Sequence, residues 1–217
     1  RRIVRWNEEG VFHNSPLVDA DGSPTFLRYA RTPAGRFLHI LPAGLWSVMA
    51  PLQLSPYFRS NHRTAHRRMG RVFIGMSVSI AFGLVPIAVT GAMNAEHNVS
   101  KGVIISLAAY FLVTALLAIN HARNKRYAKH RVWILRHVAM GYSVHMQRLL
   151  MMLTHWVFPL LIPGYTAHTV EGAKLREVVF SSYFRGAMVI CLASMEVWLR
   201  HTTPTGAILQ KEEKKKS

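Results

Sequence analysis

Five apolar stretches, each long enough to cross a lipid bilayer, dominate the sequence. They cover residues 37–55, 72–93, 102–120, 134–162 and 178–199. A helix needs about 20 consecutive apolar residues to span the hydrocarbon core. The third stretch reads GVIISLAAYFLVTALLAIN and has no polar face, whereas a helix on the surface of a soluble protein has one. The sequence therefore predicts an all-α integral membrane bundle of about five transmembrane helices.

Two polar segments flank the predicted bundle, which occupies residues 37–200. Residues 1–36 contain turn signals such as Asn14-Ser15-Pro16, and their apolar residues are too scattered to form a core of their own. We expect an extended N-terminal arm there. Residues 201–217 end in KEEKKKS, and we expect a basic C-terminal tail.

The second stretch carries small residues at regular spacing. Gly75, Ser79 and Gly83 recur every four residues and so share one helical face. Small residues at this spacing allow two helix backbones to approach closely within a membrane. The spacing predicts a tight contact between this helix and a neighbour.

Positive charge is concentrated at one side of the predicted bundle. The chain has 27 Lys and Arg against 10 Asp and Glu, a formal net charge of +17. If the chain has five spans, the basic connections at residues 55–71 and 121–131 lie on the same side of the membrane as the Lys-rich tail. The positive-inside rule assigns this side to the cytoplasm or the mitochondrial matrix. Such a surface attracts anionic phospholipids such as cardiolipin. The residues that we expect to bind them are Arg63, Arg67, Arg68, Arg71, Arg123, Arg126 and Arg131. Because no nucleic-acid motif accompanies the basic runs, we expect no nucleic-acid partner.

The fourth stretch carries a polar stripe. His137, His145, Arg148 and His155 lie on one helical face at steps that follow the helical period. Ionisable groups inside a membrane face protein, a cofactor or a hydrated cavity. We therefore predict that this stripe faces one of these environments and that Arg148 has a partner outside its own helix.

The histidines suggest b-type haem as an alternative. A bis-histidine haem needs two imidazoles at matched depth on facing helices. His66, His121, His130 and His137 fall near the basic side, and His39 and His155 near the opposite side. The candidate ligand pairs are His66 with His137, and His39 with His155. Two haems on one span would need histidines roughly 13–14 residues apart at helical rise, and the fourth stretch lacks that spacing. We expect structural histidines and no cofactor.

Patterns typical of a metal or catalytic site are missing. No His-x-x-x-His occurs within a span, and His62 and His66 lie in a loop crowded with cations, which disfavours a divalent metal. Glu196 is the one carboxylate within the five stretches, so paired-carboxylate chemistry and a Ser-His-Asp triad have no support. We expect no catalytic residue and no metal ligand. The single cysteine, Cys191, excludes a disulfide within the chain.

Two sequence blocks resemble an uncharacterised family. They read FRSNHRTAHRRMGRVFIG and KHRVWILRHVAMGYSVHMQRLL. They resemble a domain-of-unknown-function family of small polytopic membrane proteins best known from bacteria, in which HR-x-x-G-R opens one span and HR-x-W-M-x-R precedes another. The matching residues are Gln53, Arg59, His66, Arg67, Gly70, Arg71, His130, Arg131, Trp133, Arg136 and Arg148, and Ile134 replaces the usual Met. The resemblance covers residues 37–150; it implies a polytopic membrane fold and no established activity.

These features together favour a non-catalytic accessory subunit of a larger membrane complex. The arm, the intramembrane Arg148 and the cationic face each call for a partner. A start at Arg1 rather than Met, the high basicity and the lack of a secretory signal favour the mitochondrial inner membrane and the respiratory chain, with the C-terminus in the matrix. A bacterial plasma membrane is the alternative location. The competing function is an electron carrier that holds one haem b.

Overall fold

The structure, a computed structural model, describes residues 33–89, 98–162 and 170–202. These residues form helices and no strand, so the all-α prediction is confirmed. The first helix, α1, is π-helical over Gly35–Ile40 and α-helical over Leu41–Leu54. The others are α2 (Pro56–Asn61), α3 (Arg63–Val89), α4 (Asn98–Arg123), α5 (Tyr127–Leu161) and α6 (Val170–Thr202). Most of the predicted arm and of the predicted tail lies outside the described residues.

Four of the described helices are long and apolar enough to cross a membrane. They are Gly35–Leu54, Arg63–Pro86, Gly102–Arg123 and Val178–Thr202. The 35-residue α5, which carries the polar stripe, packs between α4 and α6 and completes the bundle. The chain is thus an integral membrane protein. The described residues of each predicted stretch lie in one long helix except Ser55 and Ile162, which directly follow a helix end, and residues 90–93 lie outside the described residues. Helix α3 begins at Arg63 rather than at residue 72, because hydropathy marks the part of a helix that suits lipid and not the point where helical hydrogen bonding begins.

The long helices pack in chain order, each against the next. Contacts join α1 to α3, α3 to α4, α4 to α5 and α5 to α6. Short connections make these neighbours antiparallel. At the first connection, the Ser55 hydroxyl accepts a hydrogen bond from the Phe58 amide at 3.2 Å and Pro56 takes the first helical position. At the third, Lys125 adopts a positive φ of 57° between α4 and α5.

The predicted small-residue seam forms the contact between α1 and α3. The Ser79 hydroxyl donates to the Leu38 carbonyl at 2.9 Å. A Cβ on Gly83 would lie 2.6 Å from the Leu38 carbonyl carbon, so only glycine allows this approach. The third member of the seam, Gly75, faces open space. The far half of α3 therefore touches the π-helical turn of α1 backbone to backbone.

Trp46 fills the centre of the bundle. Its side chain is 2% exposed, stacks on Phe73 with 4.9 Å between ring centroids and lies 5.6 Å from the ring of Phe111. The indole also lies directly against Gly141 of α5, where any Cβ would overlap the ring. Four helices thus pack around the Trp46 side chain, and this packing requires glycine at position 141.

We predict that Gly141→Ala destabilises the bundle. The added methyl group would overlap the buried indole, and overpacking of this kind costs about 1–3 kcal/mol. The matched control is Gly75→Ala in α3, where nothing lies within 4 Å and alanine improves helix propensity by up to about 1 kcal/mol. The measurement is the thermal unfolding midpoint in detergent, which we expect to fall for Gly141→Ala and not for Gly75→Ala. Equal midpoints for the two variants would contradict this account of the packing.

Candidate functional site

His137 is the most deeply buried ionisable side chain among the described residues of known exposure, and its two ring nitrogens bind three helices together. The side chain is 0% exposed. Its Nε2 lies 2.9 Å from the Ser77 hydroxyl of α3. Its Nδ1 lies 3.0 Å from the Phe111 carbonyl and 3.3 Å from the Thr114 hydroxyl, both on α4. Both nitrogens are therefore satisfied within the protein.

Hydrogen-bond chemistry assigns the protons in this cluster. The Phe111 carbonyl can only accept, so Nδ1 of His137 carries a hydrogen and donates it. In a neutral imidazole Nε2 then accepts, and Ser77 Oγ, which lies 2.9 Å from both this nitrogen and the Phe73 carbonyl oxygen, shares its hydrogen between the two acceptors. The Trp46 indole N–H in turn donates to Ser77 Oγ at 3.0 Å, which adds α1 to the network. Trp46, Ser77, His137 and Phe111 form a closed neutral chain across four helices.

Aromatic rings enclose the imidazole. The centroid of the His137 ring lies 4.1 Å from that of Phe111, 5.6 Å from that of Trp46 and 5.9 Å from that of Phe73. A low dielectric strengthens hydrogen bonds and makes an unmade one costly. The cluster is arranged to hold helices together, and it leaves no free ring nitrogen for an external ligand.

An ion pair joins α5 to α6 toward the basic end of the bundle, the end at which the exposed arginines between residues 59 and 71 and between residues 123 and 131 lie. The guanidinium of Arg136 donates to both oxygens of Glu196, from Nε to Oε1 at 2.5 Å and from Nη2 to Oε2 at 3.0 Å. The same guanidinium stacks 4.9 Å from the ring centroid of Trp133. Bidentate geometry of this kind is strong and directional. Sequence reasoning singled out Glu196 as an isolated acid; its partner could have been found by matching depths on antiparallel neighbours.

The predicted polar stripe of α5 passes through several environments. His137 and Gly141 face the bundle interior. His145 is exposed, and its Nε2 lies 2.9 Å from the Ser47 hydroxyl of α1. Arg148 is partly buried, with its guanidinium 5.6 Å from the ring centroid of Phe180 of α6. The side chain of His155 lies outside the described residues.

Beyond Gly141, α5 buries a different face from the one that the stripe predicts. Ser143, Gln147 and Thr154 are buried there. Met152 shares the helical face of the stripe, four residues after Arg148, and is 54% exposed. The Thr154 hydroxyl donates to the Tyr183 hydroxyl of α6 at 2.7 Å. On this half of α5, Tyr142 and His145 contact the Ser47 carbonyl and hydroxyl of α1, while Thr154 contacts α6. Sequence reasoning missed these three polar residues because they are interspersed among Met and Leu.

Of the two predicted haem pairs, the structure describes both side chains only for His66 and His137, and of the other pair it describes His39. The Nδ1 of His39 lies 2.7 Å from the Ile80 carbonyl. His137 lies beside Phe73, which follows His66 by seven residues on α3, so the two histidines differ in depth by about 10 Å at helical rise. The pair His66 and His137 is therefore not depth-matched, because the two helices are offset along the bundle axis.

The basic end combines exposed arginines with half-buried histidines. All seven arginines that sequence analysis assigned to lipid binding are exposed, as is Arg59. His66, His121 and His130 are half-buried. The Nδ1 of His130 lies 2.8 Å from the Ala118 carbonyl, and the Nδ1 atoms of His66 and His121 are buried without a hydrogen-bond partner. Among the residues that the structure describes, no group of three His, Cys, Asp or Glu is placed to hold a metal ion.

Comparison with known proteins places the bundle in a family. A family model described as "Predicted membrane protein (DUF2306)" matches residues 36–184, which includes α1 to α5 and the first half of α6. Comparisons with curated proteins and with solved structures gave no match.

We predict that Ser77→Ala lowers the stability of the bundle by more than the loss of one small side-chain atom suggests. Loss of the hydroxyl leaves the Trp46 indole N–H and the His137 Nε2 without their partner, and a buried unsatisfied group costs about 1–3 kcal/mol. The control is Ser106→Ala at an exposed position of α4. The thermal midpoint should fall for Ser77→Ala and stay near the wild-type value for Ser106→Ala. A wild-type midpoint for Ser77→Ala would show that the central network contributes nothing to stability.

Proposed function

The chain belongs to the DUF2306 family of predicted membrane proteins, and we propose that it serves as a non-catalytic accessory subunit of a larger membrane complex, with anionic lipid bound at its basic end. One observation carries the proposal. Eight exposed arginines surround one end of the bundle: Arg59, Arg63, Arg67, Arg68, Arg71, Arg123, Arg126 and Arg131.

The exposed arginines suit lipid phosphate. They lie in α2, at the start of α3, at the end of α4, in the turn that follows and at the start of α5, where antiparallel packing brings these helix ends together. Each cation near an anionic membrane surface contributes about 1 kcal/mol of attraction. Arg131 also stacks on Trp198 at 5.7 Å, which anchors one member of the set against α6.

The middle of α5 and α6 supports a protein partner. Arg148 packs on Phe180, and within the described residues it forms no ion pair with a carboxylate. Twelve residues separate Arg136 from Arg148, and eleven separate Glu196 from Arg185 on the antiparallel α6. At helical rise, Arg148 and Arg185 therefore each lie about 17–18 Å along the bundle from the Arg136–Glu196 pair, so the two arginines are at the same depth. Two cations at the same depth call for carboxylates or phosphates from outside the chain.

The membrane that we propose is the mitochondrial inner membrane, with the respiratory chain as the complex and cardiolipin as the lipid. High basicity and the clustering of the cations at one end support this assignment, since cationic sites on the matrix side suit cardiolipin head groups. The C-terminus then lies in the matrix.

A haem-binding electron carrier is the weaker alternative. His137, a member of the preferred ligand pair, has its Nε2 2.9 Å from Ser77 and its Nδ1 3.0 Å from the Phe111 carbonyl. Ligation of iron through Nε2 would break the Ser77 bond and displace the aromatic rings around it. This cost favours the accessory role.

We predict that a triple substitution of Arg67, Arg68 and Arg126 to Gln removes bound anionic lipid. The change takes three positive charges from the basic end and leaves the described hydrogen bonds between the long helices intact. The charge-preserving control replaces the same residues with Lys. Native mass spectrometry should show lipid adducts on the wild type and the Lys variant and their loss from the Gln variant. Equal adducts on all three proteins would count against lipid binding here.

We predict that Arg148→Leu impairs assembly more than folding. A partner carboxylate or phosphate left without its cation inside the membrane is costly, whereas the isolated chain loses only the contact with Phe180. Arg148→Lys retains the charge and serves as the control. Co-purification of partner proteins from the native membrane should drop for Leu and persist for Lys. A fully assembled, equally stable Arg148→Leu complex would rule out this role of Arg148.

A further inference from the structure

A second polar layer lies between the central network and the basic end. Its members are Gln53, His66, His121 and His130. Four central residues serve as reference points: His137 and three side chains that lie against it, Trp46, Phe73 and Thr114. Each member of the second layer lies seven residues from one of them on the same helix: Gln53 from Trp46, His66 from Phe73, His121 from Thr114 and His130 from His137. Seven residues are two helical turns, or about 10 Å, so each pair shares one face of its helix. Since the four central residues converge, their four counterparts converge as well, about 10 Å nearer the basic end.

Contacts between neighbours support this convergence. The Nδ1 of His130 on α5 reaches the Ala118 carbonyl of α4, one turn before His121. A Cβ on Gly70, one turn after His66, would lie 3.4 Å from Oε1 of Gln53.

The second layer differs from the central network in one respect, since its hydrogen bonds are incomplete. Gln53 is only 8% exposed, yet its Nε2 has no hydrogen-bond partner. The Nδ1 atoms of His66 and His121 are also buried and unpartnered. Buried polar groups in native proteins are normally paired, because an unmade bond is costly. Three buried nitrogens in one layer therefore call for a common acceptor.

The surrounding charge identifies what that acceptor is. Cationic side chains lie beside the layer, with Arg59, Arg63 and Arg67 exposed at its rim, and the ring of Phe58 lies 6.4 Å from that of His66. The helices α3 and α5 both begin at this end, so the positive ends of their dipoles point toward it. A metal cation would be repelled, whereas an oxyanion accepts several hydrogen bonds at once and gains from each charge.

We propose that Gln53, His66, His121 and His130 form an internal binding site for a phosphate group at the basic end of the bundle. Gln53 Nε2 and the Nδ1–H groups of His66 and His121 donate to phosphate oxygens, and His130 is held in place by Ala118. The phosphate belongs either to a lipid head group that enters between the helices or to a small soluble phosphate. The site lies inside the bundle beneath the exposed arginines, three of which form its rim, and its existence does not depend on the proposed accessory role.

The experiment uses the full chain purified in a phosphate-free, non-ionic detergent. Phosphorus content and extracted lipids are measured first, and titration with inorganic phosphate and with anionic or zwitterionic lipid follows. The test variants are Gln53→Leu and His121→Leu, which remove the unpartnered donors at similar volume. The control is His62→Leu, which removes an exposed histidine at the same end. Loss of one charge-assisted hydrogen bond should weaken binding roughly tenfold.

Two outcomes support the site and identify its source of phosphate. A phospholipid retained by the wild type and His62→Leu, but not by the two test variants, indicates a lipid head group. No retained lipid, together with inorganic phosphate binding that is at least roughly tenfold weaker in the test variants, indicates a soluble phosphate.

Three outcomes would overturn the site. The first is equal phosphate and lipid binding by all four proteins. The second is stoichiometric haem in the wild type, seen as a Soret band. The third is a thermal midpoint that rises in Gln53→Leu and His121→Leu without any ligand effect, because leucine is then the better occupant of an empty layer. Failure of the arginine-to-glutamine variant to lose lipid would bear on the surface lipid of the accessory role, because that variant leaves Gln53, His66, His121 and His130 in place.

Discussion

The hydrogen bonds of the His137 imidazole tie α5 to α3 and α4, and the rest of the bundle is arranged around them. Inside a membrane the hydrophobic effect gives helices little reason to associate, so packing and internal polar bonds decide which helices touch. His137 satisfies both nitrogens through Ser77 and the Phe111 carbonyl, and Trp46 adds α1 through the same hydroxyl. Because a lost partner would leave a buried polar group unpaired, this one cluster fixes the mutual rotation of four helices.

Much of the fold follows from the sequence because it rests on local patterns. Apolar length predicted the five long helices, and the four-residue spacing of Gly75, Ser79 and Gly83 predicted a tight contact of α3 with a neighbour, which the structure identifies as α1. The extension of α3 back to Arg63 was not predictable from hydropathy, since the segment RTAHRRMGR is polar yet helical. Helical hydrogen bonding does not stop where the lipid does.

The central cluster was harder to predict, because pairing between helices leaves little trace in either sequence. Ser77 and Trp46 lie within apolar runs and carry no motif. The polar stripe on α5 correctly drew attention to His137, but the far half of α5 buries Ser143, Gln147 and Thr154 instead. Periodicity identifies the faces of a helix, whereas the neighbouring helices decide which face is covered, and the far half of α5 contacts both α1 and α6. The sequence grouped His66, His121 and His130 near the basic side together with His137, whereas the structure places His137 about two helical turns deeper, because depth was assigned from the ends of the apolar stretches.

The connection between α4 and α5 has a consequence for how the protein is made. Only Asn124, Lys125 and Arg126 separate the two helices, with Lys125 in a left-handed turn. Helices joined so closely cannot enter the bilayer far apart, so the translocation machinery receives them as a hairpin. The contacts of His137 with Phe111 and Thr114 lie within that hairpin and can close before α6 leaves the ribosome. The ion pair between Arg136 and Glu196, in contrast, can form only once α6 has packed against α5.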